Sequence, residues 1–499
     1  MTRPGRLSVL PASPRLPPLW FVLALVVGAG VVALNQYKLI AGFGAGFHDY
    51  GLARSAILNT ARGDTASMQP ATNVAGSFMA WHWAPILYVV SFLNIFLPFD
   101  DLYGWLLAAT WYGMVVAFAV LVRDLTGSWR FGGAAALALF LNAFSRRLFF
   151  GPHWEVTQVL FELLAAIAFL RRWPFAFVAG IGLAALARED VPLYLAGFCL
   201  ALGRETSDRT MKRTAWATAA GSVLYFLLAW FVIRPMFQSA GGLNWQGWRL
   251  DFVWGRGDTV SALVKDLLVH PFDLLEALAS PHVAYLIAGF GFLPLLRPSF
   301  FLIACLLPIL VFALARLPGY CQFREYNSAQ FLGLLAVGSA LGLCRLLKLR
   351  MIRPRRRSTA ALAVLLVALV AGFIPRNMQR DVPRFGITLG DRPFPVTAGA
   401  REVRSALRAY PWGDRQVAAG FYSIVQIPHS RRVWFFEAWE AVRPDLIVID
   451  EEHDLPVTLF LTGMKTPEAL YARLERAGYR RHVLVRRVLL FEKRHRGRS

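Results

Sequence analysis

Arg188, Glu189 and Asp190 stand side by side between two apolar runs, and three charges in such a place require pairing, water or a ligand. An Arg–carboxylate pair satisfies two of them and leaves one acid to hold an amine, a metal or a sugar hydroxyl. Pro152-His-Trp-Glu155 opens another apolar run, with Glu162 about two turns further along a comparable face. An interfacial anchor needs neither that imidazole (His153) nor those carboxylates. Trp81-His82-Trp83 sets an imidazole between two indoles, a composition suited to an aromatic belt at a membrane interface and to stacking on a sugar ring. His48-Asp49-Tyr50 follows Gly42, Gly44 and Gly46. A carboxylate on such a turn can deprotonate a hydroxyl or hold a metal, or it can cap the helix-compatible run Leu52 to Thr60. Arg316, Arg324 and Glu325 form a further polar island, and an Arg near a bilayer surface suits a lipid-linked phosphate.

The elements that must position these groups are set by composition. The chain has 499 residues, 56% of them hydrophobic and only 17% charged, with mean hydropathy +0.46, too apolar for an ordinary soluble enzyme. From Leu19 to Pro375 apolar stretches of about 17 to 25 residues recur, the length that crosses a hydrocarbon core of roughly 30 Å. Helices are expected near 19–40, 103–122, 131–149, 155–170, 173–188, 190–203, 214–236, 282–296, 299–315, 329–346 and 359–375. The run His82 to Pro98 is barely long enough to span and carries Pro85 and Asn94. If it spans, the basic loops at Arg171-Arg172, Arg204 to Arg213 and Lys348 to Arg357 fall outside. If it lies in the interface they fall inside, as the positive-inside rule prefers.

The second threading predicts an all-α polytopic membrane protein of about eleven transmembrane helices, with an interfacial helix in a first outer loop. Its residues 1–375 form the membrane domain, 41–102 being that loop, and 376–499 a small α/β domain outside. In the latter, Gln416 to Ala419, Leu446 to Ile449 and His482 to Phe491 read as strands, and Glu402 to Ala409 and Pro467 to Ala477 as helices. Asp450-Glu-Glu-His453 follows a buried-type strand, where a solvated loop competes with a metal or sugar site. The N-terminus, with Arg3, Arg6 and Arg15 before the first apolar run, is expected in the cytoplasm of a bacterial inner membrane. The acids and histidines then gather outside.

The net charge of +22 lies largely in short loops and the C-terminal tail, so it orients helices and does not call for nucleic acid. Cys199, Cys305, Cys321 and Cys344 show neither metal-ligand nor disulfide spacing. No P-loop, dinucleotide fingerprint, HExxH, GxSxG or paired CxxC occurs, so ATP-driven transport and soluble-type hydrolysis have no positive support.

HWAPILY at His82 to Tyr88, PHWEVTQ at Pro152 to Gln158 and AREDVPLYLAG at Ala187 to Gly197 resemble the bacterial and archaeal membrane proteins catalogued as domain of unknown function 2079. The likeness continues through REYNSAQFLGLL at Arg324 to Leu335 and PDLIVIDEE at Pro444 to Glu452. That family in turn looks like the GT-C superfamily of multi-pass glycosyltransferases, which take sugars from polyprenyl-phosphate donors and carry a catalytic Asp in the first outer loop. Two departures stand out: HDYG replaces a longer Asp-rich motif, and Arg188 a Lys.

The resemblance implies sugar transfer from a polyprenyl-phosphate donor to a glycan, lipid or protein acceptor at the outer face, with Asp49 catalytic. His48, His82, Trp83, His153, Glu155, Arg188, Glu189, Asp190 and Arg324 would bind substrate. No cofactor is demanded, although a divalent cation could sit on Asp49, His153 or Glu189. The competing classes are a lipid or polysaccharide transporter and a non-catalytic assembly subunit.

Overall fold

The computed structural model describes residues 16–42, 48–63, 79, 82–97, 99, 101–151, 153–237, 253–257, 259–316, 321, 328–348, 359, 364–365, 397–420, 422–427, 432–436, 439–452 and 454–494. The expected segments 359–375 and 322–327, the latter with Arg324 and Glu325, fall outside these apart from single residues. Helices follow in the order α1 (Leu19–Ala41), α2 (His48–Ala61), α3 (Ile86–Phe96), α4 (Leu102–Thr126), α5 (Trp129–Leu141), α6 (Ala143–Phe150), α7 (Val156–Leu170), α8 (Pro174–Ala185), α9 (Val191–Glu205) and α10 (Arg209–Leu228). Then come α11 (Val260–Val269), α12 (Phe272–Ala279), α13 (Pro281–Ala288), α14 (Leu306–Ala313) and α15 (Ala329–Lys348). Helices α16 (Ala398–Ala409), α17 (Leu455–Thr462) and α18 (Pro467–Arg476) accompany strands β1 (Gln416–Ala419), β2 (Arg432–Phe435), β3 (Leu446–Asp450), β4 (Tyr479–Val485) and β5 (Val488–Lys493).

Two compact units result. One comprises Met1–Gly30, Leu107–Pro235 and Leu243–Gly386, the other Val31–Leu106, Met236–Gly242 and Ile387–Ser499.

Among the described residues, α1, α4, α10 with its continuation to Met236, and α15 are long and apolar enough to cross a membrane. Helices α5 and α6 make a fifth candidate bent by 58°. The expected single run 131–149 breaks because Asn142 caps α6, its side chain accepting from the Phe144 and Ser145 amides at 2.9 and 3.3 Å. Helices α7 and α8 are apolar but shorter than a full span, and α9 has 15 residues. They end where charge gathers, at the Arg171 and Arg188 turns. Helix α15 is the innermost span, 83% of its apolar window being buried against 17% for α10.

The ends of this helical body differ chemically. At one, Arg171 reaches Asp124 at 2.8 Å, Arg172 reaches Asp208 at 3.4 Å and Arg297 reaches Glu205 at 3.0 Å. Arg345 donates to the Leu296 carbonyl at 2.7 Å. The expected basic loops at 171–172 and 204–213 therefore converge on one end, together with the end of α15. At the other lie Glu155 and Arg188 to Asp190.

The second unit carries the α/β sheet, in strand order β2-β1-β3-β5-β4. Strands β2, β1 and β3 are parallel, and β5 and β4 antiparallel. Every residue of β3 is buried, as expected for the apolar run Leu446 to Ile449 covered on both faces. Strand β2 and helix α17 have no counterpart among the sequence expectations. Helix α2 packs on this sheet: Gly51 lies against Ile424 and Phe435, and Arg54 donates to the Ile424 carbonyl at 3.1 Å.

Candidate functional site

The turn before α7 and the turn before α9 meet at the second end of the helical body. Trp154 Nε1 donates to the Ala187 carbonyl at 2.9 Å, which pins one turn on the other. Arg188 then donates to Glu155 Oε1 at 2.6 Å and to both carboxylate oxygens of Asp190, at 2.5 and 2.6 Å. Pro192 at the start of α9 favours a helix beginning beyond these charges. Arg234, on the continuation of α10, approaches Glu189 Oε1 at 3.7 Å. The His153 ring stacks on Trp154 with centroids 3.6 Å apart, its Nδ1 3.9 Å from Glu155.

Glu155, Glu189 and Arg234 are wholly buried and Arg188 is 1% exposed, whereas the Asp190 side chain is 20% exposed. Ionised groups so buried persist only when paired and hydrogen-bonded. Among the described side chains three carboxylates face two guanidinium groups, and Asp190 is the most exposed of the five. The structure thus brings together His153, Glu155, Arg188, Glu189 and Asp190. It adds Arg234, whose signal was an Arg inside the apolar run 214–236.

A second polar layer lies along α7. Gln158 donates to Glu162 Oε1 at 2.7 Å. The other carboxylate oxygen points at Gly333 of α15, where an added Cβ would lie 2.0 Å away. Gln158 Oε1 and both polar atoms of Gln330 are buried without a hydrogen-bond partner among the described residues. Neither glutamine stands out in sequence, because an amide within an apolar helix has no spacing rule.

The remaining candidates belong to the second unit. His48 and Asp49 form the start of α2, their side chains outside those described. Asp49 is thus inside the first turn and not the residue before it. His82 and Trp83 are half-buried ahead of α3, and Trp83 packs on Phe237 at 5.6 Å. On the same helix as Asp49, Tyr50 and Arg54 are buried. Sequence reasoning named Tyr50 beside Asp49 without giving it a role and passed over Arg54, which reads as an ordinary solvated charge. Among the described residues no three His, Cys, Asp or Glu side chains converge as metal ligands.

In the C-terminal sheet Asp450 is buried and paired with Arg487 at 2.9 Å, so it does not sit on a solvated loop. Asp454 accepts from the amides of Tyr422, Ser423 and Asp450 at 2.7, 3.3 and 3.0 Å.

A family model described as "Predicted membrane protein (DUF2079)" matches residues 41–455. Nothing among the curated proteins matches. Among solved structures the chain is similar to the Archaeoglobus fulgidus oligosaccharyltransferase tethered with an acceptor peptide containing the NVT sequon. The identity is 13% and the TM-score 0.39, with 87% of this chain and 69% of that chain covered.

Proposed function

The chain belongs to the family of predicted membrane proteins DUF2079, and we propose that it is a membrane glycosyltransferase moving a sugar from a polyprenyl-phosphate donor to an acceptor at the extracytoplasmic face. The observation that carries this reading is the buried ionic cluster of Glu155, Arg188, Glu189, Asp190 and Arg234. A protein that only packed helices in lipid would gain by replacing it with apolar side chains. Arg188, with its donors committed to Glu155 and Asp190, holds the acids in place, while Asp190 presents acceptors to sugar hydroxyls, with Glu189 and His153 buried behind it. His82, Trp83 and Arg324 are further candidates for contact with substrate.

In the reaction Asp49 takes the proton of the acceptor hydroxyl as its oxygen attacks the anomeric carbon. The bond from that carbon to the phosphate breaks, and polyprenyl phosphate leaves with the electron pair. Direct displacement inverts the anomeric configuration. A cleft of about 640 Å³ between α8 and α10, lined by Ile181, Gly182, Ala185, Thr218, Gly221 and Tyr225 among others, is suited to an apolar chain.

In this reading the ion-cluster end of the helical body and the domain 376–499 face outward, and the basic end faces the cytoplasm of a bacterial inner membrane. Helix α3, with 11 residues, is about 16 Å long at 1.5 Å per residue. It buries Ile86, Leu87, Ser91 and Asn94 and exposes Val89, Phe92, Ile95 and Phe96, a two-sidedness that supports our placing it along the interface.

The test is reconstituted protein given a radiolabelled polyprenyl-phosphate sugar. Release of free polyprenyl phosphate is expected, and Asp49→Asn should abolish it at unchanged expression. Movement of intact donor without release would establish a transporter instead, and an undiminished rate in Asp49→Asn would remove that residue from the mechanism.

A further inference from the structure

Arg54 is 2% exposed and donates one Nη to the Ile424 carbonyl at 3.1 Å. Its Nε and other Nη are buried with no hydrogen-bond partner among the described residues. One turn earlier on the same face of α2, the Tyr50 hydroxyl is in the same condition, as is Gln36 Nε2 from α1. These two converge: a Cβ on Gly104 would stand 2.6 Å from Tyr50 Oη and 2.8 Å from Gln36 Nε2. Helix α16 adds Arg404 and Arg408. Both bind Asp101, at 3.1 and 2.8 Å, yet Arg404 Nη1 and Arg408 Nε are likewise buried and unpartnered. Tyr103, two residues after Asp101, stacks on Tyr50 with centroids 5.1 Å apart, which brings the Asp101 turn and its two arginines to Tyr50, in keeping with the electrostatic influence of Asp101, Arg54 and Arg408 on its hydroxyl.

Arg404 and Arg408 therefore share one carboxylate, Arg54 brings a third guanidinium group with no carboxylate on it among the described side chains, and the unpartnered nitrogens are all donors. Orphaned buried donors of this kind are rare and are ordinarily answered by a bound water, ion or ligand. An excess of two positive charges, on planar donors arriving from separate elements, matches a phosphate dianion better than a lone water or a carboxylate. We propose that Arg54, Arg404 and Arg408, with Tyr50 and Gln36, form a binding site for a phosphate group. The donor's phosphodiester carries a single charge, so the dianion is assigned to the polyprenyl phosphate that transfer releases, and in that assignment the proposal rests on the transfer reading above. The site itself does not.

The experiment measures binding and needs no turnover. The full chain in nanodiscs is titrated with undecaprenyl phosphate, with undecaprenol and with inorganic phosphate, and occupancy is read by native mass spectrometry. Undecaprenyl phosphate is expected to bind at least ten-fold more tightly than undecaprenol. Arg54→Gln and Arg408→Gln should each weaken it by about ten-fold, the effect of losing one charge-assisted hydrogen bond. Inorganic phosphate binding as tightly as the lipid would make the ligand a soluble phosphate and leave the site standing. Equal binding of undecaprenol and undecaprenyl phosphate, with no uptake of inorganic phosphate, overturns it. So does wild-type affinity in both variants. Arg408, with a side chain 28% exposed, tolerates replacement better than buried Arg54 and carries the test if Arg54→Gln does not fold. Phosphate binding by a chain that transfers no sugar would sink the transfer reading alone.

Discussion

Two buried arginines meet their surroundings in opposite ways. Arg188 commits Nε and both Nη groups to Glu155 and Asp190, so its charge is neutralised where it stands. Arg54 makes one hydrogen bond to a carbonyl and leaves two donor atoms unanswered among the described residues. The first arrangement builds a scaffold, and the second leaves capacity for a ligand. Asp454 shows the same physics in a carboxylate. Burial pushes its carboxyl up from the ordinary 3.8 to about 6, against the pull of hydrogen bonds from Ser423, Asp450 and Tyr422 and with Asp450 adding to the rise. An acid whose pKa is raised on folding binds its proton more tightly in the folded state. Its contribution to stability is therefore complete below about pH 4 and is lost as pH rises through about 6, in total about 3 kcal/mol. Denaturation of the wild type and of Asp454→Asn across pH 4 to 7 should show the wild type losing stability relative to the variant. Parallel profiles would mean that Asp454 does not titrate in that window.

Among the elements, the contact between α7 and α15 depends on a glycine. Glu162 Oε2 occupies the space a Cβ on Gly333 would need, 2.0 Å away, so Gly333→Ala must move a buried carboxylate or part the helices. At Gly182 of α8 nothing lies within 4 Å of an added Cβ. Gly333→Ala is expected to lower the melting midpoint clearly, while Gly182→Ala leaves it unchanged or slightly raised, since alanine is the better helix former. In the double variant Gly333→Ala, Glu162→Ala the two losses should fall short of additivity by about 1 kcal/mol or more. Additive losses would place the strain elsewhere.

What the sequence made legible follows the range of the forces involved. Helices such as α1, α4 and α15 were readable because apolar length is a local property, and β3 because its β-branched run, Ile447 to Ile449, is. The break at Asn142 was not, since that residue also donates to the Gly289 carbonyl at 2.9 Å, a partner 147 residues away. Nor was the seat of α2 on the sheet, where Arg54 and Ile424 are 370 residues apart. The Arg188 cluster was visible because charge between apolar runs is anomalous on its face. Its partner Arg234 and the amides of Gln158 and Gln330 became part of the site only through tertiary packing.

At the scale of the whole molecule, the sidedness of the chain turns on whether α3 crosses the bilayer. Its 11 residues reach about half of a hydrocarbon core of roughly 30 Å, and its exposed apolar face suits burial at the interface. If α3 does not cross, the turn between α9 and α10 faces the cytoplasm, where positive-inside bias would put Arg204, Arg209, Lys212 and Arg213. If it crosses, that turn faces out. Single cysteines separate these cases with little perturbation, since Cys199, Cys305 and Cys344 are buried and only Cys321 is partly exposed. In a Cys321→Ser background, Ser207→Cys places an exposed thiol on the α9–α10 turn, and Ala472→Cys places one on exposed α18. A membrane-impermeant maleimide added to intact spheroplasts is expected to label Ala472→Cys at once and Ser207→Cys only after permeabilisation. Labelling of Ser207→Cys in intact spheroplasts would make α3 a span and move the Glu155–Arg188 end to the cytoplasm. A polyprenyl donor presented outside could not then be its substrate.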